Sequence, residues 1–415
     1  MQQILFLKNR LLSASILLSL AGILGGIFGY IYQILMGRVL DPQDFSRLSA
    51  AVGMVVFCTS FFGAISMLIT RKISFINHST EYKLPTEYLN KIRLRCLLGC
   101  LLALPVIAGI SEKILMYLKI DSMILIWIMY IYLVAAIFHT INSACYQGLQ
   151  KFKWLAFFAI YAMLAKLLFS AILIYFGLGL MGALWGLAIA SISMMLIGWV
   201  GLKPYLSNQS YQTSDSFKNS ISTFFPVYIS TIAFTALTQL DVVMVNWFFP
   251  EEETAMYIAS AVLGKSVLYL TGGLVVVMFP LVAENYAQNK STKKIFWNAI
   301  VANILVGVTV TSFFYLYGEQ IITLLYGSSY LAAGKLLPWF SLSMIPITII
   351  ILAEHYLIAK GKTLFAWIFF LTVPIALIAI NFLHEDLITV ILIIGIYGAI
   401  VGAIGFILMW SDINE

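Results

Sequence analysis

Three charged side chains lie deep inside otherwise apolar runs: Lys166, Asp241 and Lys265. A charge at the centre of a membrane helix costs roughly 2.5–3.5 kcal/mol on insertion scales, so each needs a partner, a water-filled cavity or a ligand. Lys166 sits about 12 residues into its run, near the midplane at about 1.5 Å per residue. The apolar runs around it carry no acid to pair with it. Such a cation fits a wet cavity that receives an anion; the alternative is a lysine that snorkels or lies neutral in packing. Asp241 and Lys265 flank the turn Pro250–Glu253, and their depths differ by roughly 6 Å, within reach of a lysine side chain. Two compatible readings follow: a structural ion pair locking the hairpin, or a cavity pair. In the second, Lys265 meets an anionic headgroup and Asp241 tunes it or takes a proton. Arg71 and Lys72 close the end of the second run, either as ordinary anchors or as an electrostatic funnel for anionic lipid heads.

Other polar groups carry less. Arg38, Asp41, Asp44 and Arg47 line the first turn and read as structural, with Asp41-Pro42 and Asp44 capping the next helix. Glu354 and His355 read as a solvated helix end. The four histidines are scattered without metal-binding spacing, and no nucleophile motif or dinucleotide-binding glycine pattern is present. No catalytic residue, metal site or cofactor is expected. The four cysteines (Cys58, Cys96, Cys100, Cys145) all fall in apolar runs and read as small core residues.

The elements that hold these residues are membrane helices. Hydrophobic residues make up 62% and charged residues 10% of the 415-residue chain, and the mean hydropathy is +0.98. Soluble domains carry roughly 25% charged residues. Twelve apolar spans are expected, near 11–36, 46–70, 93–111, 122–146, 155–177, 181–201, 220–249, 254–283, 295–317, 330–357, 364–383 and 386–410. The connections are too short for a nucleotide-binding or glycosyltransferase domain, and no Walker A pattern occurs. The first run is too long for a signal-peptide core. Seventeen Lys and Arg residues fall on the side of the N-terminus and five on the other; Lys166 and Lys265, inside spans, complete the 24. By the positive-inside rule both termini are cytoplasmic. The net charge of +6 is thus a topology signal and not a nucleic-acid signal.

The chain also repeats itself. Leu48-Ser49-Ala50-Ala51-Val52 recurs as Ile258-Ala259-Ser260-Ala261-Val262, an offset of 210 residues, about half the chain. Tyr146 and Tyr356 keep that offset, as do Gly63 and Gly273; the register slips by about three residues near Ser111 and Gly318. Internal repeats in polytopic membrane proteins mark alternating-access transporters. Six spans per half is even, so the repeats enter from one side and are parallel. The expected division is an N-terminal six-helix bundle over 1–205, a cytoplasmic linker over 206–219 and a C-terminal six-helix bundle over 220–415. Gly22/Gly26, Gly25/Gly29 and Gly182/Gly186 mark close helix contacts.

The stretch Met36-Gly37-Arg38-Val39-Leu40-Asp41-Pro42-Gln43-Asp44-Phe45 resembles the polysaccharide transporter family, the O-antigen flippase type. So do Gln239-Leu240-Asp241-Val242-Val243-Met244, Met256-Tyr257-Ile258-Ala259-Ser260-Ala261 and Tyr146-Gln147-Gly148-Leu149-Gln150-Lys151-Phe152. The sequence departs from the family in having Asp41 where glycine is usual, and Met256 where glycine often precedes the tyrosine. The family belongs to the multidrug/oligosaccharidyl-lipid/polysaccharide (MOP) exporter superfamily. The resemblance implies an all-α membrane protein with a V-shaped pair of six-helix bundles around a central, often cationic cavity. It also implies a flippase that moves undecaprenyl-diphosphate-linked oligosaccharide across the bacterial inner membrane for surface polysaccharide. Its partners would be that substrate, membrane lipid and other polysaccharide-assembly membrane proteins. A diphosphate headgroup cannot cross hydrocarbon alone, and outward movement of an anion runs down the membrane potential, about 2.3 kcal/mol per charge per 100 mV.

Two rivals remain. A cation-coupled multidrug exporter of the same superfamily would favour acidic residues in its cavity, whereas the buried bases here outnumber acids two to one. A membrane enzyme of polysaccharide assembly would be expected to carry a large periplasmic loop, and the outer loops are short.

Overall fold

The computed structural model describes the backbone of residues 2–79, 84–207 and 218–414, and side chains from Ile16 onward except at 64, 75–83, 208–224 and 413–415. Long apolar runs become helices because a helix satisfies every backbone N–H and C=O within its own segment, which hydrocarbon cannot do. The first half contains α1 (Gln2–Val39), α2 (Pro42–Ser60), α3 (Gly63–Ser79), α4 (Thr86–Leu118), α5 (Met123–Gly148), α6 (Phe152–Tyr175) and α7 (Gly179–Leu202). The second contains α8 (Lys218–Phe248), α9 (Glu251–Gly264), α10 (Ser266–Ala287), α11 (Lys293–Tyr326), α12 (Ala333–Ala359), α13 (Leu364–Phe382) and α14 (Leu387–Asn414). Among the described residues, eleven helical spans are long and apolar enough to cross a membrane. Counting α2 and α3, bent by 45°, as one broken span gives twelve, in agreement with the sequence.

The repeat is visible in the element boundaries. Moved by 210 residues, α5 becomes 333–358, and α12 spans Ala333–Ala359. The outer ends of the α2–α3 pair, and both ends of α4, α6 and α7, land within three residues of those of α9–α10, α11, α13 and α14. The breaks do not coincide: α2 yields to α3 at Phe61-Phe62, whereas α9 yields to α10 at Lys265. Tyr146 and Tyr356 are both fully buried near the ends of their helices. Tyr146 donates to the Gly198 carbonyl at 2.9 Å and stacks on Trp154; the Tyr356 hydroxyl meets Thr292 Oγ1 at 2.5 Å.

Both helices then end in one cap motif. Lys151 N–H bonds the Tyr146 carbonyl while Gln150 N–H bonds that of Gln147, and Lys362 and Gly361 repeat this with Leu357 and Ile358. The left-handed residue is glycine in the second half (Gly361, φ 76°) and glutamine in the first (Gln150, φ 54°). A side chain in that region costs about 1–2 kcal/mol, partly offset by the greater freedom of an unfolded glycine. Gln150→Gly is therefore expected to stabilise the protein by about 0.5–1 kcal/mol, read as a higher midpoint in thermal unfolding; an unchanged or lowered midpoint contradicts the cap assignment.

The chain forms two compact units, 1–40 with 58–224, and 41–57 with 225–415. In the first, Leu84–Pro85 pairs in parallel with Leu206–Ser207 and tethers the start of α4 to the chain beyond α7. The rest of the expected linker, 208–217, lies outside the described residues. The division departs from the boundary expected at the linker in one respect: residues 41–57, most of α2, pack with the second half. Arg47 donates to Glu251 Oε1 from Nε at 3.2 Å and Nη2 at 2.9 Å. Phe45 is buried against Tyr326 and Tyr330. A Cβ on Gly53 would lie 3.1 Å from the Gln239 carbonyl. An ion pair, an aromatic cluster and backbone-close helix contact together outweigh chain order.

Candidate functional site

Lys166 is positioned by the glycine stripe of α1. A Cβ on Gly25 would come 2.6 Å from the Ala159 carbonyl, and one on Gly29 would lie 3.6 Å from Met163 Sδ. Two turns of close approach bring the next contact, Tyr32, to Lys166, whose Nζ lies 4.8 Å from the ring centroid. These contacts advance together along both helices, so α1 and α6 run parallel. A Cβ on Gly22 or Gly26 would meet nothing within 4 Å among the described residues, in contrast to the Gly25/Gly29 pair. Further along the same stripe of α6, Gly182 and Gly186 press α7 against Leu173 and Ser170. Lys166 is half-buried and forms no ion pair among the described residues; a cation over an aromatic face is its contact.

Asp241 and Lys265 meet. Lys265 occupies the break between α9 and α10, and its Nζ donates to Asp241 Oδ2 at 2.8 Å and to the Thr238 carbonyl at 2.7 Å. Tyr257 donates to the same Oδ2 at 3.1 Å. Asp241 is 1% exposed, and its Oδ1 has no hydrogen-bond partner among the described residues. The pair ties α8 to the α9–α10 break, a contact within the reach that the depths gave. Arg71 is half-buried on α3, beside Lys72, whose ammonium lies 4.7 Å from the Tyr88 ring centroid. Of the four candidates, Asp241 and Lys265 share one cluster in the second unit; Lys166 and Arg71 belong to the first.

Two polar groups carry more than the sequence indicated. Glu354 is a buried side chain, not a solvated helix end, and Ser230 of α8 donates to it. Arg93, the first residue of the expected span 93–111, turns into the first unit: its Nη2 donates to Asn142 Oδ1 at 3.1 Å, and its guanidinium lies over Trp199. Asn142 is fully buried and donates onward to the Met195 carbonyl. The available signal was Asn142, a carboxamide inside an apolar span, about two turns before the end of α5. Among the described residues no group of His, Cys, Asp or Glu could hold a metal.

This is a multi-pass helical membrane protein with the fold seen in MATE and MurJ proteins. It is similar to a multidrug-resistance MATE transporter of the MOP superfamily, solved inward-facing, at 12% identity and TM-score 0.77 over 94% of each chain. It is similar to the lipid II flippase MurJ, solved in an inward closed conformation, at 17% identity and TM-score 0.73, covering 95% of this chain and 87% of that one. At such identities the likeness is one of fold. Among curated proteins none matches the sequence. Residues 11–286 match the profile of the family described as "Polysaccharide biosynthesis protein", and the chain belongs to that family.

Proposed function

We propose that this protein is a flippase that moves undecaprenyl-diphosphate-linked oligosaccharide units across the bacterial inner membrane by alternating access. It carries out no covalent chemistry in this reading. The observation that carries it is Lys166: a cation near the midplane, without an acid partner among the described residues, in a chain of the polysaccharide biosynthesis family. Lys166 receives the diphosphate, Arg71 gathers anionic heads at the inner mouth, and the Asp241–Lys265 pair holds the second unit in register. The MurJ likeness supports the same class of task, since that protein is a lipid II flippase. The Lys and Arg bias supports cytoplasmic termini, and other polysaccharide-assembly membrane proteins are its expected partners.

One observation favours a second reading, a cation-coupled multidrug exporter: Glu354 is a buried carboxylate held by a serine, and the fold is shared with MATE transporters. Deletion of the gene separates the two. Accumulation of undecaprenyl-diphosphate-oligosaccharide on the cytoplasmic leaflet with loss of surface polysaccharide is the expected result. Unchanged glycan with raised sensitivity to cationic dyes points to the exporter.

A further inference from the structure

A groove of about 550 Å³ opens on the second unit between α11 and α12. This is the size range of small-molecule sites, about 300–1,000 Å³. Its origin is local. A Cβ on Gly318 would lie 2.8 Å from the Gly334 carbonyl, and one on Gly334 would lie 2.6 Å from Glu319 Cα. The two helices touch backbone to backbone there, and the missing side chains leave the space beside the contact.

The lining is graded. At the end nearest the α11–α12 turn stand Glu319, Gln320 and Lys335; below them lie Tyr315, Trp339 and Leu342. Tyr315 is 77% exposed and Trp339 44%, so both face the surroundings rather than the core. Lys335 is the third residue of α12, and Glu319 lies about 10 Å along the axis from the end of α11. Gly334 packs on Glu319, so the ammonium and the carboxylate border one small volume. Among the described residues neither takes part in an ion pair. Both side chains are exposed, so a ligand that carries the complementary pair of charges can reach them both.

We propose that this groove is a binding site for one zwitterionic phospholipid with a primary ammonium headgroup, a phosphatidylethanolamine. The phosphate meets Lys335, the ammonium donates to Glu319, and an acyl chain runs down past Trp339 and Leu342. An anionic glycerol headgroup leaves Glu319 unpaired beside a phosphate. A quaternary ammonium has no N–H to give the carboxylate, so it forfeits the charge-assisted hydrogen bond.

Native mass spectrometry of the purified full chain, titrated in turn with phosphatidylethanolamine, phosphatidylglycerol and phosphatidylcholine, tests this. The variants are Glu319→Gln, Lys335→Gln and Leu342→Trp, each checked for unchanged thermal unfolding in lipid-free detergent. The wild type is expected to retain one phosphatidylethanolamine at least tenfold better than either other lipid. Glu319→Gln and Lys335→Gln should each abolish that preference, and Leu342→Trp should block retention by filling the groove. Equal retention of the three lipids, or wild-type preference in both charge variants, overturns the proposal and marks the groove as a place for bulk lipid only. Preference for phosphatidylglycerol overturns it in favour of Lys335 acting alone. Preference for phosphatidylcholine overturns it in favour of the aromatic rings.

Discussion

Lys265→Met is expected to destabilise the second unit by about 3–5 kcal/mol, the cost of removing one partner from a buried ion pair. Lys265 is the only cation that touches Asp241 among the described residues, and Asp241 Oδ1 already lacks a hydrogen bond. Without the ammonium, the Tyr257 hydroxyl alone faces a carboxylate that is 1% exposed. Asp241→Asn combined with Lys265→Met removes both charges and is expected to recover most of the loss, because a neutral pair has no desolvated charge to compensate. Thermal unfolding of the two single variants and the double variant closes the cycle. If Lys265→Met unfolds at the wild-type temperature, the pair contributes nothing and the lock is wrong. Surface glycan in the double variant then separates the two roles of the pair. Normal export from a folded double variant makes it structural; failed export makes it part of the transport path.

Lys166→Met is expected to do the opposite to stability and more to function. Methionine keeps the length of the side chain and removes a charge that costs roughly 2.5–3.5 kcal/mol in a helix centre, so the variant should be more stable, not less. The cation–π contact with Tyr32 returns only about 0.5–2 kcal/mol of that cost. Surface glycan should nevertheless fall at least tenfold at equal protein level. A more stable protein that no longer exports is the signature of a residue kept for binding. If Lys166→Met exports normally, Lys166 is a packed lysine and the cationic cavity has no midplane charge in the first unit. Lys166→Arg tests charge against shape: it keeps the cation but not the compact ammonium that lies over Tyr32.

The spans, the repeat and the Asp241–Lys265 pair were legible in the residues because each follows from position along a helix. Depth is a count of residues from a turn, and two charges at similar depth on consecutive spans have few other partners. Glu354 was misjudged for the converse reason. A count placed it near a helix end, and only the packing of α8 against α12 covers it. Arg93 fell likewise: eight residues into α4 it could turn to water or to the bundle, and Asn142 with Trp199 decided the direction.

The sequence by itself determined that the chain carries eleven or twelve apolar spans of membrane length, in two copies of one pattern, with charges placed where hydrocarbon makes them costly. Tertiary structure alone decided which faces of those helices meet. Gly25 and Gly29 face α6 while a Cβ on Gly22 or Gly26 would meet none of the described residues, and most of α2 leaves its own half through Arg47, Phe45 and Gly53. The reason lies in the solvent. In water a buried face is apolar and an exposed face polar, so the pattern names the inside. In lipid both faces are apolar, and contact is chosen by small residues, aromatic packing and single polar bonds, whose partners lie far away in the sequence.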